Sequence, residues 1–200
     1  VLVSRLPLPL WERVGVRGNW VVKGASMTLE GQIKSKIRDV PDFPKQGIIF
    51  KDITPVLQDP VVFNSLLCAF EKRYAHQKID AVVAIESRGF IFGSPIAHLL
   101  KAAFVPVRKK GKLPYDVVEQ SYDLEYGSAT IEMHVDAVRP GNRVLIIDDV
   151  LATGGTADAT CRLVEKQGGA IVECAFVIEL AFLQGREKLK GREVFSLVKY

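Results

Sequence analysis

Long apolar runs are missing from this chain of 200 residues. Its longest stretch without a charged side chain, residues 89–100, is interrupted by Ser94, Pro95 and His98. A spanning helix needs about 18 consecutive apolar residues, so no membrane association is expected. Cysteine is scarce too. Cys68, Cys161 and Cys174 are odd in number and widely spaced. That excludes a disulfide framework and a zinc pattern, and it suits a reducing, cytoplasmic setting. His76, His98 and His134 show no ligand spacing to one another or to cysteine, so no metal held directly by protein side chains is expected. A one-sided charge is also lacking over most of the chain. The net charge is +4, but residues 1–26 carry +3 of it through Arg5, Arg13, Arg17 and Lys23 against Glu12. The remaining +1 implies no polybasic face and no nucleic-acid partner. Hydrophobic and charged fractions of 48% and 25% are ordinary for one globular domain with a sizeable core.

Residues 1–26 lack any helical or strand period, and Pro7, Pro9, Gly15 and Gly18 break every run. They lack the apolar centre of a signal peptide as well. Residues 8–18 resemble translated intergenic repeat DNA of bacterial genomes. The expectation is an unstructured extension over 1–26, with Met27 as the physiological start and one domain over 27–200.

The most informative segment is residues 144–156. Val144-Leu145-Ile146-Ile147 reads as a strand buried on both faces, ending in Asp148-Asp149. Carboxylates at the end of such a strand stand where open α/β sheets bind ligands. Thr153-Gly154-Gly155-Thr156 can turn several backbone N–H groups toward one anion. The helix that follows adds its positive dipole end. A phosphorylated sugar needs that pairing: N–H donors for phosphate, acceptor oxygens for vicinal hydroxyls. No Walker A loop and no G-x-G-x-x-G fingerprint is present.

Elsewhere the pattern alternates between helices and buried strands, which argues for a mainly parallel sheet flanked by helices. Thr28 caps a helix running to Arg38, ended by Pro41-Asp42-Phe43-Pro44. Residues 47–53 form a short apolar segment. Asp59-Pro60 opens a helix through Phe63, Leu66, Leu67, Phe70 and Tyr74. Strands are expected at 81–85, 104–108, 171–179 and 194–198, and helices at 90–101 and 156–167. Residues 109–120 read as a polar loop of lid type. Residues 122–126 and 130–134 read as hairpin arms around Gly127-Ser128.

Two further constellations carry charge. Glu86-Ser87-Arg88-Gly89-Phe90 follows strand 81–85 and enters a helix, which offers a second phosphate-type loop. Its bland alternative is a strand end whose Glu86 and Arg88 pair with each other. Arg108, Lys109, Lys110 and Lys112 follow the next strand. They suit a pyrophosphate, or else a solvated lid rim.

The segment 144–156 resembles the 5-phosphoribosyl 1-pyrophosphate (PRPP) loop of the type I phosphoribosyltransferases. Pro41-Asp42-Phe43-Pro44, Gly47-Ile48-Ile49-Phe50-Lys51-Asp52-Ile53-Thr54-Pro55, Glu86-Ser87-Arg88-Gly89-Phe90, Arg108-Lys109-Lys110-Gly111-Lys112-Leu113-Pro114 and Ser121-Tyr122-Asp123-Leu124-Glu125-Tyr126-Gly127 resemble the adenine phosphoribosyltransferases of bacterial type. These blocks cover essentially residues 27–200. Val150 stands where that family usually has Leu.

The resemblance implies a type I phosphoribosyltransferase fold with a small N-terminal hood and a flexible catalytic loop. It implies the reaction of adenine with PRPP to give AMP and pyrophosphate in purine salvage, with magnesium accompanying PRPP, in a homodimer. By resemblance, Ala152, Thr153, Gly154, Gly155 and Thr156 hold the 5-phosphate. Asp148 and Asp149 take the ribose hydroxyls and favour an oxocarbenium. Ser87, Arg88, Arg108, Lys109 and Lys112 hold pyrophosphate. Ile49, Phe50 and Lys51, with Arg88 and Val150, border adenine. Glu125 is the acid/base candidate and Tyr126 closes the site. The family also carries a cis peptide at Glu86–Ser87. Phe50 has ordinary core packing as its alternative, and Glu125 an exposed hairpin position. A 6-oxo-purine enzyme and a non-catalytic PRPP-binding regulator remain as alternative functions.

Overall fold

The computed structural model describes residues 27–123 and 127–200. The readings for 1–26 lie outside the described residues. Thr28 Oγ1 accepts from the Gly31 N–H and starts helix α1 (Leu29–Lys36). The helix stops two residues earlier than the apolar pattern suggests. Arg38–Pro41 instead forms strand β1, paired antiparallel with β2 (Ile49–Asp52), in register Val40 to Phe50. This two-stranded hood depends on partners ten residues away, which local periodicity does not report. A single-turn helix α2 (Thr54–Leu57) follows. Asp59 then caps α3 (Pro60–Tyr74), accepting from the Val61 and Val62 N–H groups.

The main sheet runs in the order β5-β6-β4-β3-β7-β8-β9. Strands β3 (Ala81–Ile85), β4 (Ala103–Lys109), β7 (Arg143–Leu151), β8 (Ala170–Glu179) and β9 (Val194–Lys199) are mutually parallel. Helix α4 (Gly89–Leu100) links β3 to β4, and α5 (Gly155–Lys166) links β7 to β8. Antiparallel β5 (Val117–Asp123) and β6 (Ser128–His134) complete one edge.

Alternate residues of the central strands feed two cores. Val83, Ile146 and Phe176 pack with α5, while Val82, Leu145 and Val177 pack with α1 to α4. Phe92 and Ile96 of α4 are fully buried in the second core. Each such side chain contributes about 1.5–3 kcal/mol relative to exposure. Buried Glu173 is held by Arg73 through two bonds of 2.7 Å and by the Tyr74 hydroxyl at 2.6 Å. Cys161 and Cys174, far apart in sequence, meet in the first core with Sγ atoms 3.4 Å apart, both as free thiols.

Two further boundaries differ from expectation. The polar loop over 109–120 shrinks to the residues between β4 and β5. Val117 to Gln120 is already a strand, paired with His134 to Ile131. An edge strand exposes one face, so its polar residues masked the pairing. The second difference is β7, which does not end at the acidic pair. It continues to Leu151 because β8 is long enough to pair with Val150 and Leu151. Toward β3 the pairing stops at Ala84 with Ile147, so the sheet opens at Asp148 on that side.

Candidate active site

Strand order reverses between β3 and β7. The chain leaves β3 toward β4 and leaves β7 toward β8. Such a switch point leaves a crevice beyond the strand ends. Here a cavity of about 600 Å³ occupies it, within the usual range for small-molecule sites. Its apolar floor is Ile85, Val107 and Ile131.

Asp148 and Asp149 line this cavity, with Asp149 only 4% exposed. The Asp149 N–H donates to Asp148 Oδ1 at 2.9 Å. Burial, then the charge of Asp149, pushes the Asp148 carboxyl well above the usual carboxylate range. Asp149 pairs with the Arg88 guanidinium. Arg88 therefore does not pair with Glu86. Glu86 takes Arg108 instead, at 3.2 and 3.3 Å, and the Lys109 N–H at 3.0 Å. The Arg108 hydrogen bond is the main cause that lowers the Glu86 carboxyl. The peptide between Glu86 and Ser87 is cis. Gly89 opens α4 so close to β7 that an added methyl would lie 2.9 Å from Asp148 Oδ1. Only glycine lets the two loops converge there.

The phosphate-type loop leaves β7 at Ala152. Gly154 sits at φ +79°, in the left-handed region, and precedes α5. A side chain there would collide with the Gly185 carbonyl, and one on Gly185 with the Ala152 carbonyl. Two facing glycines thus press a 3₁₀ turn (Gly185–Leu189) against the loop. Thr156 Oγ1 donates to the Tyr122 hydroxyl at 3.0 Å, tying the loop to β5.

The hood supplies the opposite wall. Ile49, Phe50 and Lys51 line the cavity beside Val150. The Phe50 ring meets Phe43 edge-on at 5.2 Å, and Arg88 stands 5.4 Å from its centre. Phe50 is therefore an aromatic wall of the cavity and no core residue. Lys51 Nζ turns to Asp39 at 2.7 Å and to the Tyr200 ring.

Of the residues expected at a site, Ile49, Phe50, Lys51, Ser87, Arg88, Arg108, Lys109, Asp148, Asp149, Val150, Ala152 and Thr156 all border one cavity. Thr153, Gly154 and Gly155 complete the adjoining loop. Lys112 does not line the cavity; its carbonyl accepts from Arg108 Nη1 at 3.0 Å. Glu125 and Tyr126 lie outside the described residues. Sequence reading passed over three contributors. Leu180 and Leu183 line the cavity from beyond β8. Glu132 is 2% exposed and accepts from the Gly111, Lys112 and Leu113 N–H groups at 2.7–3.0 Å. Burial opposes its ionised form, but those three donors outweigh it and leave the carboxyl lowered. A lone Glu on an alternating strand gives no signal of that role.

These features define an α/β protein whose single crevice gathers an acidic pair, a phosphate-type loop, basic side chains and an aromatic wall. Comparison with known proteins agrees. Residues 67–197 match the phosphoribosyl transferase domain. The adenine phosphoribosyltransferase of Christiangramia forsetii is 55% identical over 169 residues, which span 84% of this chain and 99% of that relative. The one from Solibacter usitatus is also 55% identical, over 84% of this chain and 97% of its own length. The crystal structure of the Rhodothermus marinus adenine phosphoribosyltransferase superposes with a TM-score of 0.82 at 56% identity, covering 86% of this chain and 98% of that one. The Saccharomyces cerevisiae enzyme, solved with adenine and an imino-altritol bisphosphate, gives 0.81 at 42% identity over 84% and 98%. The chain belongs to the phosphoribosyltransferase family, on its adenine branch.

Proposed function

We propose that the chain transfers the 5-phosphoribosyl group of PRPP to adenine, giving AMP and pyrophosphate, as a purine-salvage enzyme of the cytoplasm. The observation that carries this reading is one cavity bordered by Phe50, by Arg88 with Lys109, and by Asp148, Asp149 and Thr156. In this reading backbone groups of Ile49 and Lys51 pair with adenine's N1/N6 edge. A 6-oxo purine reverses that pattern and leaves buried groups unpaired.

As the bond from the anomeric carbon to pyrophosphate stretches, positive charge grows on the ribose ring. Asp148 and Asp149 accept from the ribose hydroxyls and stabilise that charge. Ser87, Arg88, Arg108 and Lys109 take up the charge growing on the leaving group, with Lys112 at the loop above. Ala152 to Thr156 fix the 5-phosphate, so the ring cannot drift from the line of attack. Glu125 exchanges the purine proton and Tyr126 shuts out water. Positive charge from magnesium would add to that of Arg88, Arg108 and Lys109 at the phosphate oxygens if the ion came with PRPP. Among the described residues no three His, Cys, Asp or Glu side chains converge on one point. With no such cluster of ligands, the ion would be held mainly by PRPP itself.

The catalytic unit is assigned to residues 27–200. A homodimer is proposed on the family resemblance, and Ile91 on α4 and Phe104 on β4, 39% and 38% exposed, are apolar side chains that a second copy would cover. The functional test measures pyrophosphate release from PRPP and magnesium with adenine, hypoxanthine, guanine or no base. Release with adenine alone is expected. Release with a 6-oxo purine would overturn the base assignment, and no release with any base would overturn the reaction.

A further inference from the structure

The 5-phosphate cup contains no cation of its own. Residues 152–156 offer N–H groups, two hydroxyls and the dipole of α5, all partial charges. Asp148 and Asp149 stand beside it, and the nearest guanidinium, Arg88, is committed to Asp149. A phosphate dianion here would face two carboxylates without a full positive charge nearby.

Lys188 supplies one. A methyl built on Gly155 would lie 3.6 Å from Lys188 Nζ, so the ammonium stands against the first turn of α5. Lys188 makes no ion pair with any carboxylate among the described residues, whereas its neighbours do. Lys190 pairs with Glu187, and Arg192 bonds both Asp158 and Glu165. Its backbone is anchored on three sides. Gly185 abuts Gly154 and Ala152. Arg186 bonds Glu179 at 2.6 and 2.8 Å and the Val194 carbonyl at 3.0 Å. Leu189 is 1% exposed in the first core. Lys188 is exposed, but its anchored backbone holds the ammonium beside the anion loop, open to an incoming phosphate.

We infer that Lys188 is a further binding residue for the 5-phosphate of PRPP and AMP, reaching the cup from its α5 flank. The inference rests on the phosphoribosyltransferase reading above. Because the contact persists from substrate to product, it serves binding and not the chemical step.

The test titrates the full chain, as wild type, Lys188→Gln and Lys188→Arg, with ribose 5-phosphate and separately with inorganic pyrophosphate. Steady-state turnover with PRPP and adenine runs alongside. Losing one charge-assisted contact should weaken ribose 5-phosphate binding about tenfold in Lys188→Gln. KM for PRPP should rise in parallel, kcat should stay within about twofold, and the arginine form should recover most of the loss. Pyrophosphate affinity should not move, and the salt dependence of ribose 5-phosphate binding should flatten in the glutamine form. Equal ribose 5-phosphate affinity in wild type and Lys188→Gln, or none in wild type, would overturn the assignment. A fall in kcat without a change in KM would overturn it too. A wild type that binds ribose 5-phosphate but turns over no purine would overturn the reaction reading alone, while the titration still decides the role of Lys188.

Discussion

Asp148 and Asp149 are neighbours in sequence with different duties in the fold. Asp149 is compensated by Arg88, whereas half-buried Asp148 has its carboxyl raised by desolvation and then by the charge of Asp149. Asp149→Asn should cut kcat/KM about 10²-fold with an unchanged circular dichroism spectrum; unaltered turnover would remove Asp149 from the site. Asp148→Asn should separate stability from activity. The folded-state pKa of Asp148 is raised above its unfolded value of about 3.9. Between those two values the folded chain holds a proton that the unfolded chain has released, so stability falls as pH rises through that window. The neutral amide escapes this penalty. Asp148→Asn should therefore melt roughly 2–4 °C above wild type at pH 7, with the gap closing toward pH ~4. Its turnover should collapse at every pH. A melting gap that does not vary with pH would show that the penalty is not ionisation. Glu125→Gln should lower kcat about 10²-fold with PRPP affinity retained, while a pure affinity loss would refute an acid/base role.

At the scale of elements, the readable parts of the sequence were those set by local pattern. Ala81–Ile85 is strand β3 with no residue out of place, and Asp59-Pro60 starts α3 as its capping chemistry requires. The acidic pair and the T-G-G-T turn were equally legible, because their unusual composition has few structural uses. What stayed hidden depended on distant partners. β1 exists only through β2, and the start of β5 only through β6. The Gly185–Leu189 turn gained its role from contact with a loop thirty residues earlier. Glu132 is the clearest case. It fixes the loop of residues 111–113 from below, and that loop carries the Lys112 carbonyl that braces Arg108. Glu132→Gln turns one acceptor into a donor facing an N–H group, costing about 1–1.5 kcal/mol of loop order. The expected readout is a KM for PRPP raised about tenfold, with kcat little altered. An unchanged KM would show that the loop is held by its strands alone.

On the scale of the whole molecule, the sheet order gathers the loops after β3, β4 and β7 around one crevice, and α4 starts there and carries an unusual surface. The α4 sequence is apolar nearly throughout, yet only part of it is spent on the second core. Phe90 packs edge-on to Phe104 at 5.8 Å, and Ile91, the next residue of α4, is exposed. Because α4 begins at Arg88, anything that covers this patch also steadies the loop that holds Asp149. A second copy of the chain is the covering surface that needs no other partner, and a symmetric pair would brace both crevices at once. Light scattering on the purified protein should accordingly give twice the chain mass of 22.1 kDa. Ile91→Lys, which places a charge in the patch without touching the cavity, should return the single-chain mass. It should also raise KM for PRPP, since Arg88 loses its support, while the isolated chain keeps its fold by circular dichroism. A wild type that scatters as one chain would refute the dimer outright. A monomeric Ile91→Lys form with unaltered KM would keep the dimer but cut its link to the site.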